Sequence, residues 1–480
     1  MSDIILFQPK IGSWDIGGSS PPLALLSAAR FLSDRYNLVL IDQRKDKDWK
    51  RRLEREVRKQ PICIAITCMT GPQISYALQA ARICRMVNSS VKIVWGGVHP
   101  SLLPFQTLQS KYVDIVCIGE GEITFCELVK ALEAGKNLSK VKGIGYKKGK
   151  RIVVTERREF VDMNALPEPA YELVDMSKYL RCYRKEKYFF LETSRGCVFN
   201  CSYCYNRKFN LSKFRFQTSS KIIERVKYLS EKFKIKNFRI IDDNFFLNPE
   251  AYQALDVLAN EFKFIIEGAD IRVCYPTRKR LFSILRKGAK IDLFFGVESG
   301  SPKIQKLINK NLDPLLVRKF NREIKKFPVA VRYNFMCGFP GETLEDLRLS
   351  VKLAIKLIQD NPFAMITPFN IFVPYPGTPL FDVAITHGWS PPSSLEEWSF
   401  HDLISFRAPW INEKYWKLIK GIHFLSYFID NKAYYYYSLD NLEGFLIRII
   451  HLLYVGRAKE IIERFRWSSL EEKVFQAINI

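Results

Sequence analysis

Three cysteines, Cys197, Cys201 and Cys204, lie close together in the stretch Ser194-Arg-Gly-Cys-Val-Phe-Asn-Cys-Ser-Tyr-Cys-Tyr-Asn206. A closed structural zinc site would complete such a set with a fourth Cys or a His nearby. Neither is at hand, because no histidine lies between His99 and His387 and the next cysteine is Cys274. Three thiolates in one tight loop suit a cubane iron–sulfur cluster, in which each ligates a different iron. The fourth iron is then left for a ligand that is not protein, and chemistry is expected at that open position.

The elements that must hold this loop are legible around it. From 187 to 385, six apolar β-rich runs alternate with helical stretches such as Ser219–Lys232 and Leu344–Gln359. The runs are Tyr188–Glu192, Asn237–Ile241, Phe262–Glu267, Ile291–Val297, Val329–Met336 and Ala364–Val373. Six βα units predict a partial (β/α)6 barrel, short of closure, with its site at the strand C-termini. The cysteines follow the first of these strands. Upstream, residues 1–150 hold five short apolar runs: Ile4–Phe7, Leu38–Ile41, Ile62–Ile66, Val91–Trp95 and Val113–Cys117. Their spacing leaves room for crossover helices and predicts a doubly wound five-stranded parallel sheet, with ligands beyond the strand carboxyl ends. Residues 151–186 form the end of a polar hairpin and a Pro-containing linker. Residues 386–480 are aromatic-rich and predict a mainly helical C-terminal region expected to cover the barrel mouth. The fold class is α/β throughout the first two regions.

The Cys-x3-Cys-x2-Cys spacing, with Tyr203 before the last cysteine, resembles the radical S-adenosylmethionine (SAM) enzymes. That resemblance implies a [4Fe-4S] cluster on Cys197, Cys201 and Cys204 whose fourth iron binds the amino and carboxylate groups of S-adenosylmethionine. Reductive cleavage would release a 5′-deoxyadenosyl radical, with a ferredoxin or flavodoxin as electron donor. Further motifs stand at successive strand ends. Ile240-Ile-Asp-Asp-Asn-Phe245 makes Asp242 and Asp243 candidates for the methionine ammonium, since a carboxylate accepts from it. Gly296-Val-Glu-Ser-Gly-Ser301 implies ribose and methionine contacts from Glu298 and Ser299. Phe335-Met-Cys-Gly-Phe-Pro-Gly-Glu-Thr343 resembles the adenine-side motif and brings in Gly338 and Gly341; Tyr203 joins this set.

The first region resembles cobalamin-binding domains. Thr67-Cys-Met69 closes its third strand, Trp95-Gly-Gly-Val-His-Pro-Ser101 follows the fourth and Gly119-Glu-Gly-Glu122 the fifth, while Pro21-Pro-Leu-Ala-Leu-Leu26 opens the first helix. The implied cobalamin contacts are Thr67, Met69, Gly96, Gly97, Gly119, Glu120 and Gly121, with His99 as a loop residue touching the nucleotide tail or solvent. The usual Asp-x-His-x-x-Gly motif is missing, since the first loop reads Ile16-Gly-Gly-Ser-Ser-Pro-Pro22. Cobalamin is therefore expected without a His lower ligand, which should favour loss of methyl as a radical equivalent. A ligand or cap from the Trp14 loop, or a domain that binds nothing, stays open at this point.

The resemblance implies a cobalamin-dependent radical SAM enzyme, a C-methyltransferase acting on an unactivated carbon of a small-molecule, lipid or natural-product precursor. A cobalamin-dependent oxidative cyclisation or rearrangement is the alternative. An RNA methylthiotransferase is the second, although Cys63, Cys84 and Cys117 fall inside apolar runs rather than in one set of loops for a second cluster. A cobalamin sensor would not need the cysteine loop. The net charge of +24 is spread along the whole chain and alone does not choose between nucleic acid, anionic lipid and solvated surface, while the dense segment from Arg44 to Lys59 reads as a solvated helix face. Eight cysteines stand singly, which predicts reduced thiols and a cytoplasmic location. No apolar run reaches the length needed to span a bilayer. Trp389, Trp398, Trp410, Trp416, Tyr434–Tyr437, Arg448 and Arg457 suit either a helical cap with an aromatic core or peripheral contact with a lipid surface.

Overall fold

The computed structural model of the protein describes residues 3–12, 20–183, 186–270, 272, 275–402 and 406–430, with the isolated residues 458, 460 and 462. The Trp14 loop, most of Ile16–Pro22, Tyr434–Tyr437, Arg448 and Arg457 lie outside the described residues.

The first sheet contains β1 (Ile4–Gln8), β2 (Leu38–Asp42), β3 (Cys63–Thr67), β4 (Lys92–Gly96), β5 (Ile115–Cys117), β6 (Ile144–Lys148) and β7 (Arg151–Val154), in the order β2-β1-β3-β4-β5-β6-β7. The five expected strands pair in parallel. The polar hairpin extends this sheet as an antiparallel edge rather than standing apart. Successive side chains point to opposite faces of a strand, so Ile4 and Leu6 enter one core and Ile5 and Phe7 another. The first core is closed by α1 (Leu23–Arg30) and α6 (Glu122–Glu133), the second by α2 (Trp49–Val57) and α3 (Gln73–Val87). Two short helices, α4 (Val98–Leu102) and α5 (Pro104–Gln109), fill the β4–β5 crossover.

In the second sheet the parallel strands are β9 (Glu186–Leu191), β12 (Asn237–Ile240), β13 (Ile265–Asp270), β14 (Ile291–Glu298), β15 (Val331–Cys337) and β16 (Ala364–Ile366). Strand β8 (Arg181–Tyr183) pairs antiparallel with β9, so the edges do not join and the barrel is open, as six units require. The last expected strand is split: β16 ends at Ile366 and β17 (Asn370–Ile371) pairs β15 separately. A two-residue ladder, β10 (Ser194–Arg195) with β11 (Arg215–Phe216), encloses the cysteine loop and α7 (Asn206–Phe209).

Around this sheet run α8 (Ser219–Phe233), α9 (Ala251–Leu255), α10 (Tyr275–Arg286), α11 (Pro302–Leu307), α12 (Pro314–Ile324) and α13 (Leu344–Asp360). Their starts are written in the sequence. Thr218 caps α8, Ser301 caps α11, Asp313 caps α12, and Thr343 with Asp346 forms a reciprocal capping box on α13.

Beyond α14 (Pro379–Thr386), Trp389, Leu395, Trp398 and Phe406 pack on the first sheet's second core, and most of residues 431–480, to which the barrel-mouth expectation also applies, lies outside the described residues. The Trp398 indole donates to Gln106 Oε1 at 2.6 Å, and Gln106 Nε2 donates to the Pro392 carbonyl at 2.9 Å. Aromatic side chains are drawn to apolar area, and the α3 and α5 side of the sheet offered it. Helix α15 (Glu413–Ser426), with Trp416 buried, returns to the second sheet beside β17. Among the described residues no helix is long and apolar enough to cross a membrane.

Candidate cobalamin and iron–sulfur site

At the carboxyl edge of the first sheet lies a cavity of about 370 Å³. Its sheet side is formed by Thr67, Met69, Gly96, Gly97, Gly119, Glu120 and Gly121, and it continues as a slot beside Leu23, Ala24, Ser27 and Ala28 of α1. Small residues make the slot, and at Gly97 nothing larger is tolerated. Its φ of +99° is left-handed, and a Cβ there would stand 2.7 Å from the Cys68 carbonyl oxygen. The shape suits the nucleotide tail of a corrinoid, which needs a narrow apolar channel beside a parallel sheet.

His99 is not part of this wall. It is fully buried in α4, with Nδ1 3.0 Å from Thr70 Oγ1 and its ring edge-on to Trp398 at 5.7 Å. Burial lowers its pKa to about 3, so the ring is neutral. The residue expected to meet the nucleotide tail instead faces the aromatic strap, because α4 begins at once after Gly97 and turns the imidazole inward.

The opposite wall belongs to the second sheet: Glu192, Arg195, Tyr205, Asn206, Phe209, Asn210 and Asp243. Arg195, one residue before Gly196-Cys197, crosses to the Gly119–Glu122 loop, meeting Glu120 at 3.0 Å and Glu122 at 2.8 Å as well as Glu192 at 2.9 Å. Arg215 reaches Glu120 at 2.5 Å. Burial alone would raise the Glu120 carboxyl, but Arg195 and Arg215 outweigh it and hold it below the usual range. Glu120 thus lines the cavity while its charge is spent on tying the two sheets together. Sequence reading had no place for Arg195, although its position beside the first cysteine was the available signal.

A second cavity, of about 220 Å³, contains Cys197, Cys201 and Cys204 together with Phe199, Tyr203, Asn206, Asp243, Arg272, Gly296, Glu298, Lys310 and Asn334. Asn206 and Asp243 face both cavities, so the two spaces adjoin. Asp243 Oδ2 accepts from the Gly196 amide at 2.9 Å, fixing the turn into the first cysteine. Burial pushes the Cys204 thiol up to about 12 and raises Cys197 as well. A bound Lewis acid would favour the thiolate form of both, since the thiolate is what ligates a metal. Among the described residues no set of His, Cys, Asp or Glu converges on a single ion. A cubane spreads its ligands over separate irons, so three thiols around one cavity fit it better than they fit zinc.

On the far side of the cavity, Glu298 Oε1 accepts from Tyr203 Oη at 3.0 Å and from Lys310 Nζ at 2.7 Å. The carboxylate sits where β14 slips register, in a left-handed conformation (φ +66°) that non-glycine residues adopt at a cost of about 1–3 kcal/mol. Gly296 makes room, because a Cβ there would lie 2.4 Å from Glu298 Oε1. Lys310 was missed in sequence. The signal was faint: Asn309 and Asn311 flank it in left-handed conformation, which marks a tight loop with the lysine at its tip. Arg272, which stacks over Phe199 at 3.8 Å, carried no signal at all.

Four further expected residues stand off the described cavities. Asp242 is fully enclosed, accepting from the Thr193 amide at 2.7 Å, Thr193 Oγ1 at 2.5 Å and Ser194 Oγ at 2.7 Å. Burial raises its carboxyl to about 7, although those donors pull the other way. Its neighbour Asp243, also beyond the end of β12, lines both cavities instead. Ser299 is buried against Ser350 of α13 at 3.0 Å. Gly338 donates to Glu342 Oε2 at 2.5 Å and accepts from the Trp410 indole at 3.1 Å, while the Gly341 carbonyl accepts from Lys303 at 2.7 Å. The turn containing both glycines is thereby bound into the C-terminal region.

Two parallel sheets whose carboxyl edges face each other across adjoining cavities, one a slot and the other a three-cysteine chamber, define a two-cofactor α/β enzyme. Residues 191–354 match the family model described as the radical SAM superfamily, and residues 10–129 that of the B12 binding domain. The chain belongs to the cobalamin-dependent radical SAM enzymes, and its cofactors are a [4Fe-4S] cluster, S-adenosylmethionine and cobalamin. It is 28% identical over 426 residues to PH0819 of Pyrococcus horikoshii, described as an uncharacterized methyltransferase; this spans 87% of the chain and 90% of the relative. To the anaerobic magnesium-protoporphyrin IX monomethyl ester cyclase of Cereibacter sphaeroides it is 24% identical, over 79% of the chain and 63% of the relative. Two solved structures share the fold. The methyltransferase TsrM of Kitasatospora setae, with cobalamin and cluster bound, gives a TM-score of 0.69 at 15% identity over 89% of both chains. The cobalamin-dependent enzyme OxsB gives 0.73 at 16% identity over 99% of this chain and 74% of that one.

Proposed function

We propose that the protein transfers a methyl group to an unactivated carbon of a small-molecule, lipid or natural-product precursor. The observation that supports this reading is the pair of adjoining cavities that share Asn206 and Asp243, one suited to a corrinoid and the other to a cluster. When bound, the cofactors would supply a carbon radical and a methyl group. The chain's own residues do the rest. Cys197, Cys201 and Cys204 hold the cluster, while Tyr203, Asp243, Glu298 and Lys310 orient S-adenosylmethionine beside it. Thr67, Met69, Gly96, Gly97, Gly119 and Gly121 shape the corrinoid slot. The ion pairs of Arg195 and Arg215 keep the two halves closed on one another, fixing the reactants in place and limiting access of water. Relatives named as methyltransferases support the group transferred.

The experiment is incubation of the anaerobically reconstituted protein with S-adenosylmethionine trideuterated at its methyl group and an extract of cellular metabolites and lipids. A product bearing the whole labelled methyl group is expected. An unlabelled product that has lost hydrogen or gained oxygen would favour the cyclisation reading, for which the similarity to the protoporphyrin ester cyclase speaks.

A further inference from the structure

Reduction of an iron–sulfur cluster adds one negative charge, and hydrogen bonds to its sulfurs help decide how readily that charge is accepted. A donor left over beside the three cysteines therefore bears directly on the cofactor they hold. Several polar groups of the chamber are spent on one another. Tyr203 and Lys310 donate to Glu298, and the Gly196 amide donates to Asp243. Asn244 and Asn334 also line the chamber, but no hydrogen bond to a described residue fixes how their amides point. Asn206, two residues beyond Cys204, is different.

Asn206 opens α7, is 5% exposed and faces both cavities. Its backbone N–H acts against the rise that burial imposes on the Cys204 thiol. The direction of its side-chain amide is set by a chain of hydrogen bonds. Arg215 donates to Glu120 at 2.5 Å, and a guanidinium can only donate. The atom of Asn210 that meets Arg215 at 2.9 Å is therefore its oxygen. That leaves Asn210 Nδ2 facing Asn206 at 3.1 Å, so the atom it meets there is Oδ1. What remains is Asn206 Nδ2. It meets no acceptor among the described residues and opens on the cavities rather than being sealed inside.

We propose that Asn206 Nδ2 donates a hydrogen bond to a sulfur of the cluster and raises its reduction potential, with Asn210 as the positioning residue that keeps the nitrogen turned inward. The donor favours the reduced form because added negative charge makes the sulfurs better acceptors. One electron enters and no proton moves. The chain of contacts starts at Glu120, on the Gly119–Glu122 loop of the first sheet, so the corrinoid half of the molecule holds the donor in place. This inference rests on the assignment of the cluster to the three cysteines and adds what sets its potential.

The test is a redox titration of the full chain carrying its reconstituted cluster, followed by the electron paramagnetic resonance signal of the reduced form. Asn206→Leu should make one-electron reduction about tenfold less favourable, a fall of about 59 mV, at unchanged iron and sulfide content. Asn210→Asp keeps an acceptor for Arg215 but presents another to Asn206. The Asn206 amide should then turn over, offer its oxygen to the chamber and lower the potential at least as much. Because the new charge at residue 210 also acts at a distance, the double variant separates the two effects. With Asn206→Leu already present, Asn210→Asp should add less than about a twofold change. An unmoved potential in Asn206→Leu would overturn the proposal, and weaker cobalamin binding in that case would give the donor to the corrinoid instead. An Asn210→Asp effect as large in the double variant as alone would remove Asn210 from its positioning role. A parent that builds no cluster sinks the cluster assignment and this inference together, whereas a normal cluster with unmoved potentials sinks this inference alone.

Discussion

The cavity-facing residues at the carboxyl edge of the first sheet are Thr67, Met69, Gly96, Gly97, Gly119, Glu120 and Gly121, with Ala24 and Ala28 from α1. At the equivalent edge of the second sheet they are Tyr203, Asp243, Glu298, Lys310 and Asn334. Both edges belong to parallel strands, and both place loops where a ligand is expected. The first edge is built mainly from small residues, with the charge of Glu120 taken up by Arg195 and Arg215. The second is lined by polar and charged groups, of which Glu298 and Lys310 hold one another. The two halves should therefore fail differently: one when an atom is added, the other when an atom is removed.

The sharpest way to separate them is Cys201→Ala. Loss of the cluster and of all deoxyadenosine production is expected, with cobalamin retained in the absorbance spectrum. Normal cleavage in this variant would end the assignment of the second cavity. Next in size is Gly97→Ala. A Cβ 2.7 Å from the Cys68 carbonyl, on a left-handed backbone, should cost about 3 kcal/mol and weaken cobalamin binding about 100-fold, leaving the cluster spectrum unchanged.

Lys310→Met makes the opposite kind of change, leaving Glu298 buried without its cation. Breaking such a pair costs about 3 kcal/mol, so a lower melting temperature and weaker S-adenosylmethionine binding are expected, with cobalamin affinity untouched. Adding Glu298→Gln to that variant should restore much of the stability, because the unpaired charge is gone.

The smallest effect is a pH dependence. Burial raises the Asp242 carboxyl to about 7 and that of Glu342 to about 8, against donors that lower both. A carboxyl raised on folding favours the neutral form in the native state. Its contribution is complete below its ordinary range near pH 4 and is lost as pH rises through about 7 to 8. The melting temperature should fall over that window, and Asp242→Asn with Glu342→Gln should flatten the fall by about 2–4 °C. A profile identical in parent and variant would show that neither group titrates there.

Much of this architecture was open to reading from the chain. The five apolar runs of the first sheet and the six of the second appear as parallel strands because a strand buried on both faces must be apolar along its length. The three cysteines, Tyr203, Asp243 and Glu298 also met where their strand ends suggested. What escaped depended on packing between distant segments. Asp242 and Asp243 look equivalent in sequence, yet Asp242 is enclosed by Thr193 and Ser194 while Asp243 lines both cavities. Ser299 was claimed by Ser350 across a helix interface. His99 was turned toward Trp398, a partner 299 positions further along the chain, and the strap containing that tryptophan could not be placed from composition. Lys310 and Arg195 act through partners on other elements, so the local signals beside them, a flanking asparagine pair and the first cysteine, did not reveal what they meet.

With Asn206 and Asp243 lining both cavities, a corrinoid in the first and a cluster in the second would lie side by side. The most direct measurement is electron paramagnetic resonance of the full chain reconstituted without oxygen with iron, sulfide and cob(II)alamin, then poised so that the cluster is reduced by one electron while cobalt stays Co(II). A magnetic interaction between the cobalt and cluster spins is expected in the parent, together with an isolated cobalt signal in Cys201→Ala. Two independent signals in the parent, or a chain holding zinc at Cys197, Cys201 and Cys204, would contradict it.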